Sequence, residues 1–116
     1  MESDDRGKRA EEAVRQALSI MEKEGVIAGY YKNKKCGEVD ELGIDFLVYL
    51  RNGFILPIQV KAASKDNENR RVKHIKKHPR ILFMIFVNLE LFKVRPEKVL
   101  DCITKEIGAF LRSGAI

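Results

Sequence analysis

Residues 43–61 read GIDFLVYLRNGFILPIQVK. Ile44, Phe46, Val48 and Leu50, then Phe54, Leu56, Ile58 and Val60, recur at the two-residue period of strands with one face in a core. Asn52-Gly53 between them is a strong hairpin signal. Asp45 opens the first strand, and Gln59 and Lys61 close the second. A carboxylate, an amide and an ammonium in such strands cost free energy unless they find partners, so these three mark a place where chemistry is expected.

Their numbering carries a geometric consequence. The apolar positions are even and the polar trio is odd, side chains alternate faces along a strand, and directly paired residues share a face. A two-residue turn at Asn52-Gly53 would pair residue 51 with 54, and hence Asp45 with Val60, mixing the faces. An odd-length loop, or a bulge near Pro57, is therefore predicted.

Working outward, residues 3–24 form a predicted helix. Ala10, Ala13, Val14, Ala17, Leu18 and Met21 make one apolar stripe, with Ser3 and Asp4 as caps and Gly25 as the stop. At ~100° per residue, Glu11 falls on the stripe's edge and Glu12 points to solvent, so Glu11 is the acid able to reach the sheet. Paired with Arg15 four residues on, Glu11 would instead be an ordinary surface acid. Residues 26–32 read as a short strand and residues 33–43 as a loop in which Asp40 is a solvated acid.

Residues 62–80, AASKDNENRRVKHIKKHPR, are the most basic stretch. They read as a loop and a short helix ended by Pro79. His74 and His78 lie four apart, but Pro79 and the surrounding cations argue against a metal there. Residues 80–88 form a continuous apolar run that predicts a central strand covered on both faces. Residues 91–95 read as a further strand, and Pro96 as the first residue of a final helix to residue 112. The pattern is one α/β domain over residues 1–116, a mixed sheet flanked by helices.

The chain of 116 residues carries 22 Lys plus Arg against 17 Asp plus Glu, a net charge of +5 that favours polyanionic partners. Its longest apolar run, residues 81–87, is far short of the ~20 residues a membrane helix needs, and the acidic start is unlike a signal peptide. A cytoplasmic protein without membrane attachment is expected. Cys36 and Cys102 stand alone and read as free thiols rather than a disulfide or zinc site.

A carboxylate opening one strand and a polar-x-Lys pair closing the next suit metal-assisted phosphodiester hydrolysis. Mg²⁺ takes hard oxygen donors and few carboxylates. Asp45 is the expected main ligand, with the Gln59 amide oxygen, the Val60 backbone carbonyl and Glu11 as further donors. Lys61 would orient water or stabilise charge on phosphorus. Lys34, Lys35, Ser64, Lys65, Arg70, Arg71, Lys73, Lys76 and Lys77 are candidate contacts to a nucleic-acid backbone.

These residues resemble the PD-(D/E)xK nuclease superfamily. The resemblance rests on Gly7 and Glu11 in the first helix, Gly43-Ile44-Asp45 opening a strand, and Gln59-Val60-Lys61 followed by Ser64. The small size and the Gly7-Lys8-Arg9-Ala10-Glu11 start are similar to archaeal-type Holliday junction resolvases, and the Gln-x-Lys to Mrr-type restriction endonucleases. The resemblance implies an αβββαβ restriction-endonuclease-like core and Mg²⁺-dependent endonucleolytic cleavage of DNA, with Mn²⁺ able to substitute. It implies catalytic roles for Glu11, Asp45, Gln59 and Lys61. Branched or duplex DNA is the expected substrate, RNA stays open, and a homodimer would present two sites to two strands. Gln59 departs from the acidic residue common at its position, and no Pro precedes Asp45. The alternative is a non-catalytic nucleic-acid-binding protein that keeps the fold with a degenerate metal site.

Overall fold

A computed structural model describes residues 2–33, 44–63, 69, 72, 73, 76, 77 and 83–112, with side chains from Arg6 onward. Within these residues the order is α1 (Glu2–Lys23), β1 (Gly29–Lys32), β2 (Phe46–Tyr49), β3 (Ile55–Ala62), β4 (Phe83–Val87), α2 (Leu89–Val94) and α3 (Pro96–Arg112). The strands form one mixed sheet in the order β1-β2-β3-β4. The first two pairings are antiparallel and β3 pairs with β4 in parallel.

The stripe predicted on α1 is the centre of the core: Ala10, Ala13, Val14, Ala17, Leu18 and Met21 are all fully buried. Gly25, at φ 77°, ends the helix. Its N–H donates to the Glu22 carbonyl at 3.1 Å and the Val26 N–H to the Met21 carbonyl at 2.9 Å. That double bond pattern, with the left-handed residue between, needs glycine for its positive φ.

The hairpin settles the parity question. Leu50 N–H donates to the Phe54 carbonyl at 2.9 Å and Gly53 N–H to the Leu50 carbonyl at 3.1 Å. The loop is thus the odd-length Arg51-Asn52-Gly53, a turn closed by a left-handed Gly53 at φ 93°. The Asn52 side chain supports it, its Oδ1 accepting from Phe54 N–H at 3.1 Å. No bulge falls at Pro57, which stays in register with Leu47.

Even-numbered residues consequently share one face. Phe46, Ile58 and Phe83 form one row, and Val60 stands beside Ile85. All are buried. Val99, Ile103 and Ile107 of α3 join α1 over this face. Phe110 stacks on Phe83 with centroids 4.6 Å apart.

One expectation changes. Residues 91–95 are not a strand: Leu89–Val94 is a short helix. Asn88 decides this, its side chain accepting from Leu91 N–H at 3.1 Å and its carbonyl from Phe92 N–H at 2.9 Å. A capped turn satisfies backbone groups that an edge strand would leave open. Arg15 pairs with Glu12, Nε to Oε2 at 2.9 Å, and not with Glu11. Asn69, Val72, Lys73, Lys76 and Lys77 are helical and exposed.

Candidate functional site

The register defines rows on the odd-numbered face. Tyr49 and Ile55 lie opposite each other, then Leu47 and Pro57. The regular pairing of β2 with β3 ends at Phe46↔Ile58, one residue short of Asp45. Gln59 is beside Met84, and Lys61 beside Phe86. The strand period puts Gln59 and Lys61 on one face of β3, and Asp45 meets β3 where the ladder stops.

Asp45 sits where the regular ladder ends. Its N–H donates to the Ile58 carbonyl at 2.9 Å. Its carboxylate Oδ2 accepts from Val60 N–H at 2.7 Å. The side chain thus takes over a backbone bond that a further strand residue would have made, and its carboxylate is held against β3.

Gln59 is buried, with 9% of its surface exposed, and its Oε1 has no hydrogen-bond partner among the described residues. An unsatisfied buried carbonyl costs about 1–3 kcal/mol. Gln59 directly precedes Val60, whose N–H the Asp45 carboxylate accepts. Lys61, two residues on, is exposed.

Glu11 is only 4% exposed and its Oε1 lies 3.8 Å from Lys32 Nζ. Lys32 pairs with Phe46, the residue after Asp45. Glu11 thus comes to the corner where β1 ends and β2 begins, as its place on the helical stripe predicts. Glu12 faces outward, where the Arg15 guanidinium, with a smaller contribution from Gln16, holds its carboxyl below the usual carboxylate range. The same contact, aided by Tyr30, pushes the Arg15 guanidinium upward.

Three residues of this corner carry no advance signal in the sequence. Asn33 is buried, donates its backbone N–H to the Asp45 carbonyl at 2.9 Å and its Nδ2 to the Ile44 carbonyl at 3.0 Å. It locks the peptide that carries the candidate ligand. Lys32 gives Glu11 its counter-charge. Arg6 donates to the Ala63 carbonyl at 3.4 Å, setting the start of α1 over the end of β3. All three look like loop or surface polar residues until the sheet closes.

Lys73, Lys76 and Lys77 are exposed. Lys34, Lys35, Ser64, Lys65, Arg70 and Arg71 lie outside the described residues, as do Cys36, Asp40, His74 and His78. Cys102 is a free, exposed thiol. Among the described residues, no helix is long and apolar enough to cross a membrane. A cavity of about 250 Å³, lined by Val26, Leu50, Arg51, Asn52 and Leu111, lies at the hairpin end, away from Asp45.

Among the described residues no group of three or more His, Cys, Asp or Glu side chains is placed to hold a metal ion. The candidate donors at this part of β3 are hard oxygens: the Asp45 carboxylate, held by the Val60 N–H, and the partnerless amide oxygen of the preceding residue, Gln59. That chemistry suits a hard cation held by few protein ligands. Compared with protein-family models, curated proteins and solved structures, the chain matches none.

Proposed function

We propose that this chain is a Mg²⁺-dependent endonuclease that hydrolyses DNA phosphodiester bonds, built on an αβββαβ restriction-endonuclease-like core. One observation carries the proposal. A buried, partnerless amide oxygen belongs to Gln59, the residue before Val60, whose N–H pins the Asp45 carboxylate with a 2.7 Å bond. A sheet that leaves a buried acceptor unsatisfied beside an oriented carboxylate is supported best by a ligand for both.

Asp45, Gln59 Oε1, Glu11 and the Val60 carbonyl are the groups that would hold Mg²⁺ or Mn²⁺. The cation, when bound, polarises the phosphoryl oxygen and eases ionisation of water. The chain does the rest. Asp45 is oriented by the Val60 N–H, and Asn33 fixes the Asp45 peptide. Lys61 presents an ammonium on the face of Gln59, where it positions the attacking water and offsets charge gathering on the phosphoryl oxygens. The exposed Lys73, Lys76 and Lys77 supply backbone contacts that position DNA without reading its sequence. Selectivity then rests on the shape of branched or flapped DNA, and a homodimer supplies the second site for the second strand.

A second function has its own supporting observation. Gln59 brings no negative charge, and no three-acid group forms among the described residues. Those features favour a protein that binds nucleic acid without cutting it. Calorimetric titration with Mg²⁺ and Mn²⁺, alongside nicking of branched and linear DNA, separates the two. Cleavage requires metal-dependent heat and nicking in the wild type, with Lys61→Ala keeping the heat and losing the nicking. Absence of both heat and nicking in the wild type leaves the binding module.

A further inference from the structure

The odd-numbered face does not end at the candidate site. Towards the hairpin it continues through the Leu47–Pro57 row to the Tyr49–Ile55 row, and β1 adds Tyr31 opposite Leu47. Tyr31 is 44% exposed, Tyr49 37% and Ile55 55%. Tyr30, one residue earlier, points to the opposite face, where its hydroxyl meets the Ser19 hydroxyl at 2.6 Å. The strand thus commits one tyrosine to the core side and leaves the next outside. Tyr49 lies along Gly29, where an added methyl group would sit 3.8 Å from its Cδ2.

An exposed cluster of aromatic and aliphatic side chains on a sheet marks a binding surface more often than an accident of composition. Its position says what it binds. Same-face rows of one strand are roughly 6.7 Å apart. Tyr31 is therefore one row, and Tyr49 two rows, from Gln59, with the exposed Lys61 a further row beyond. Flat rings at one end and a cation at the other complement a chain of bases on a phosphate backbone. The net charge of +5 adds to that match.

We infer that Tyr31 and Tyr49 form a stacking platform for unpaired nucleotides of a DNA strand whose backbone enters the Asp45–Lys61 site. This rests on the nucleic-acid reading of that site and narrows its substrate to DNA with a single-stranded segment. In a duplex the base faces are already stacked on one another and cannot meet the rings; in a single strand every base offers a face.

The test is fluorescence anisotropy of a labelled oligothymidylate and of a duplex, in chelator so that no hydrolysis intervenes. The proteins are wild type, Tyr31→Val, Tyr49→Val and Tyr31→Phe, with circular dichroism to verify folding. Both tyrosines are exposed and valine favours strands, so the fold is retained. Each valine variant loses about tenfold in affinity for the single strand. Duplex affinity and the slope of log affinity against log salt stay unchanged, because stacking releases no counterions. Tyr31→Phe binds like wild type.

Unchanged single-strand affinity in both valine variants overturns the platform. So does an equal loss on duplex, or sedimentation showing that the variants break a wild-type dimer, which would make this face a self-contact. Nicking with Mg²⁺ of branched DNA that carries a single-stranded flap is scored separately. A protein that cuts but shows no tyrosine-dependent binding refutes the platform alone, and tyrosine-dependent binding without cutting refutes hydrolysis alone.

Discussion

Replacing Asp45 in two ways separates its part in the fold from its part in the proposed chemistry. Its Oδ2 accepts from Val60 N–H at 2.7 Å, and Val60 is only 6% exposed. Hydrogen bonds to a charged group contribute about 1.5–3 kcal/mol, and Asp45→Ala removes the acceptor from the Val60 N–H. Asp45→Ala should therefore cost about 2 kcal/mol, a large share of the roughly 5–15 kcal/mol that holds a domain together. With a urea m-value of roughly 2 kcal/mol/M, the unfolding midpoint falls by about 1 M. Asp45→Asn keeps an oxygen acceptor but gives a neutral bond of about half the strength, so its cost is about 1 kcal/mol or less. The order reverses in function. Both substitutions remove the charge on which cation binding is proposed to depend, so both abolish metal-dependent heat and nicking, even though the asparagine protein stays folded. Chemical denaturation in chelator and a cleavage assay on the same preparations check this. Wild-type stability of Asp45→Ala would show that the carboxylate does not hold β3, and undiminished cleavage by Asp45→Asn would remove it from the ligand set.

Two further predictions concern the frame of the site. Gly53→Ala forces an L-residue to φ 93° where nothing crowds an added Cβ, so the cost is backbone strain alone, about 1 kcal/mol; a urea midpoint equal to wild type would show that the loop relaxes to another turn. The Glu12–Arg15 pair contributes stability that depends on pH: with the folded pKa depressed below 4.5, the contribution is complete above that value and is lost as pH falls through the folded pKa. Because Arg15 is 39% and Glu12 44% exposed, it is worth at most about 1 kcal/mol. The stability gap between wild type and Glu12→Gln should close on acidification, and a gap that widens would reverse the sign of the coupling.

Much of the corner follows from periodicity. Even-odd parity along residues 43–61 predicts an odd-length loop or a bulge against the plain appearance of Asn52-Gly53, because either lets both apolar sets face one core, and the three-residue loop is the one found. The helical wheel separates Glu11 from Glu12 for the same reason: burial of one face sends adjacent residues different ways. Periodicity fails where a single local hydrogen bond decides. Leu91 to Val94 alternate well enough for a strand, yet Asn88 caps a helix there. It fails again where partners come from distant elements, as when Lys32 is given to Glu11 and Asn33 to the Asp45 peptide. Arg15 had acids three and four residues before it, both within reach on a helix. The burial of Glu11 leaves Glu12 as the acid that Arg15 pairs with.

The charge balance at the corner gives Gln59 a physical role. Among the described residues, the Glu11 carboxylate has Lys32 Nζ at 3.8 Å and the Asp45 carboxylate has the Val60 N–H at 2.7 Å. A carboxylate at position 59, where the side chain is buried, would have to be desolvated, and burying a charge costs far more than burying an amide. With glutamine the corner needs no bound ion to fold, and the residual cost is one unsatisfied carbonyl, Gln59 Oε1. A neutral donor also binds a divalent cation less tightly than a carboxylate does. On the proposed function, Gln59 therefore exchanges metal affinity for a sheet that is stable when empty, and the cation would be recruited together with the phosphate, whose own negative oxygens supply the missing charge. Metal binding and DNA binding are then coupled, each strengthening the other by the same factor.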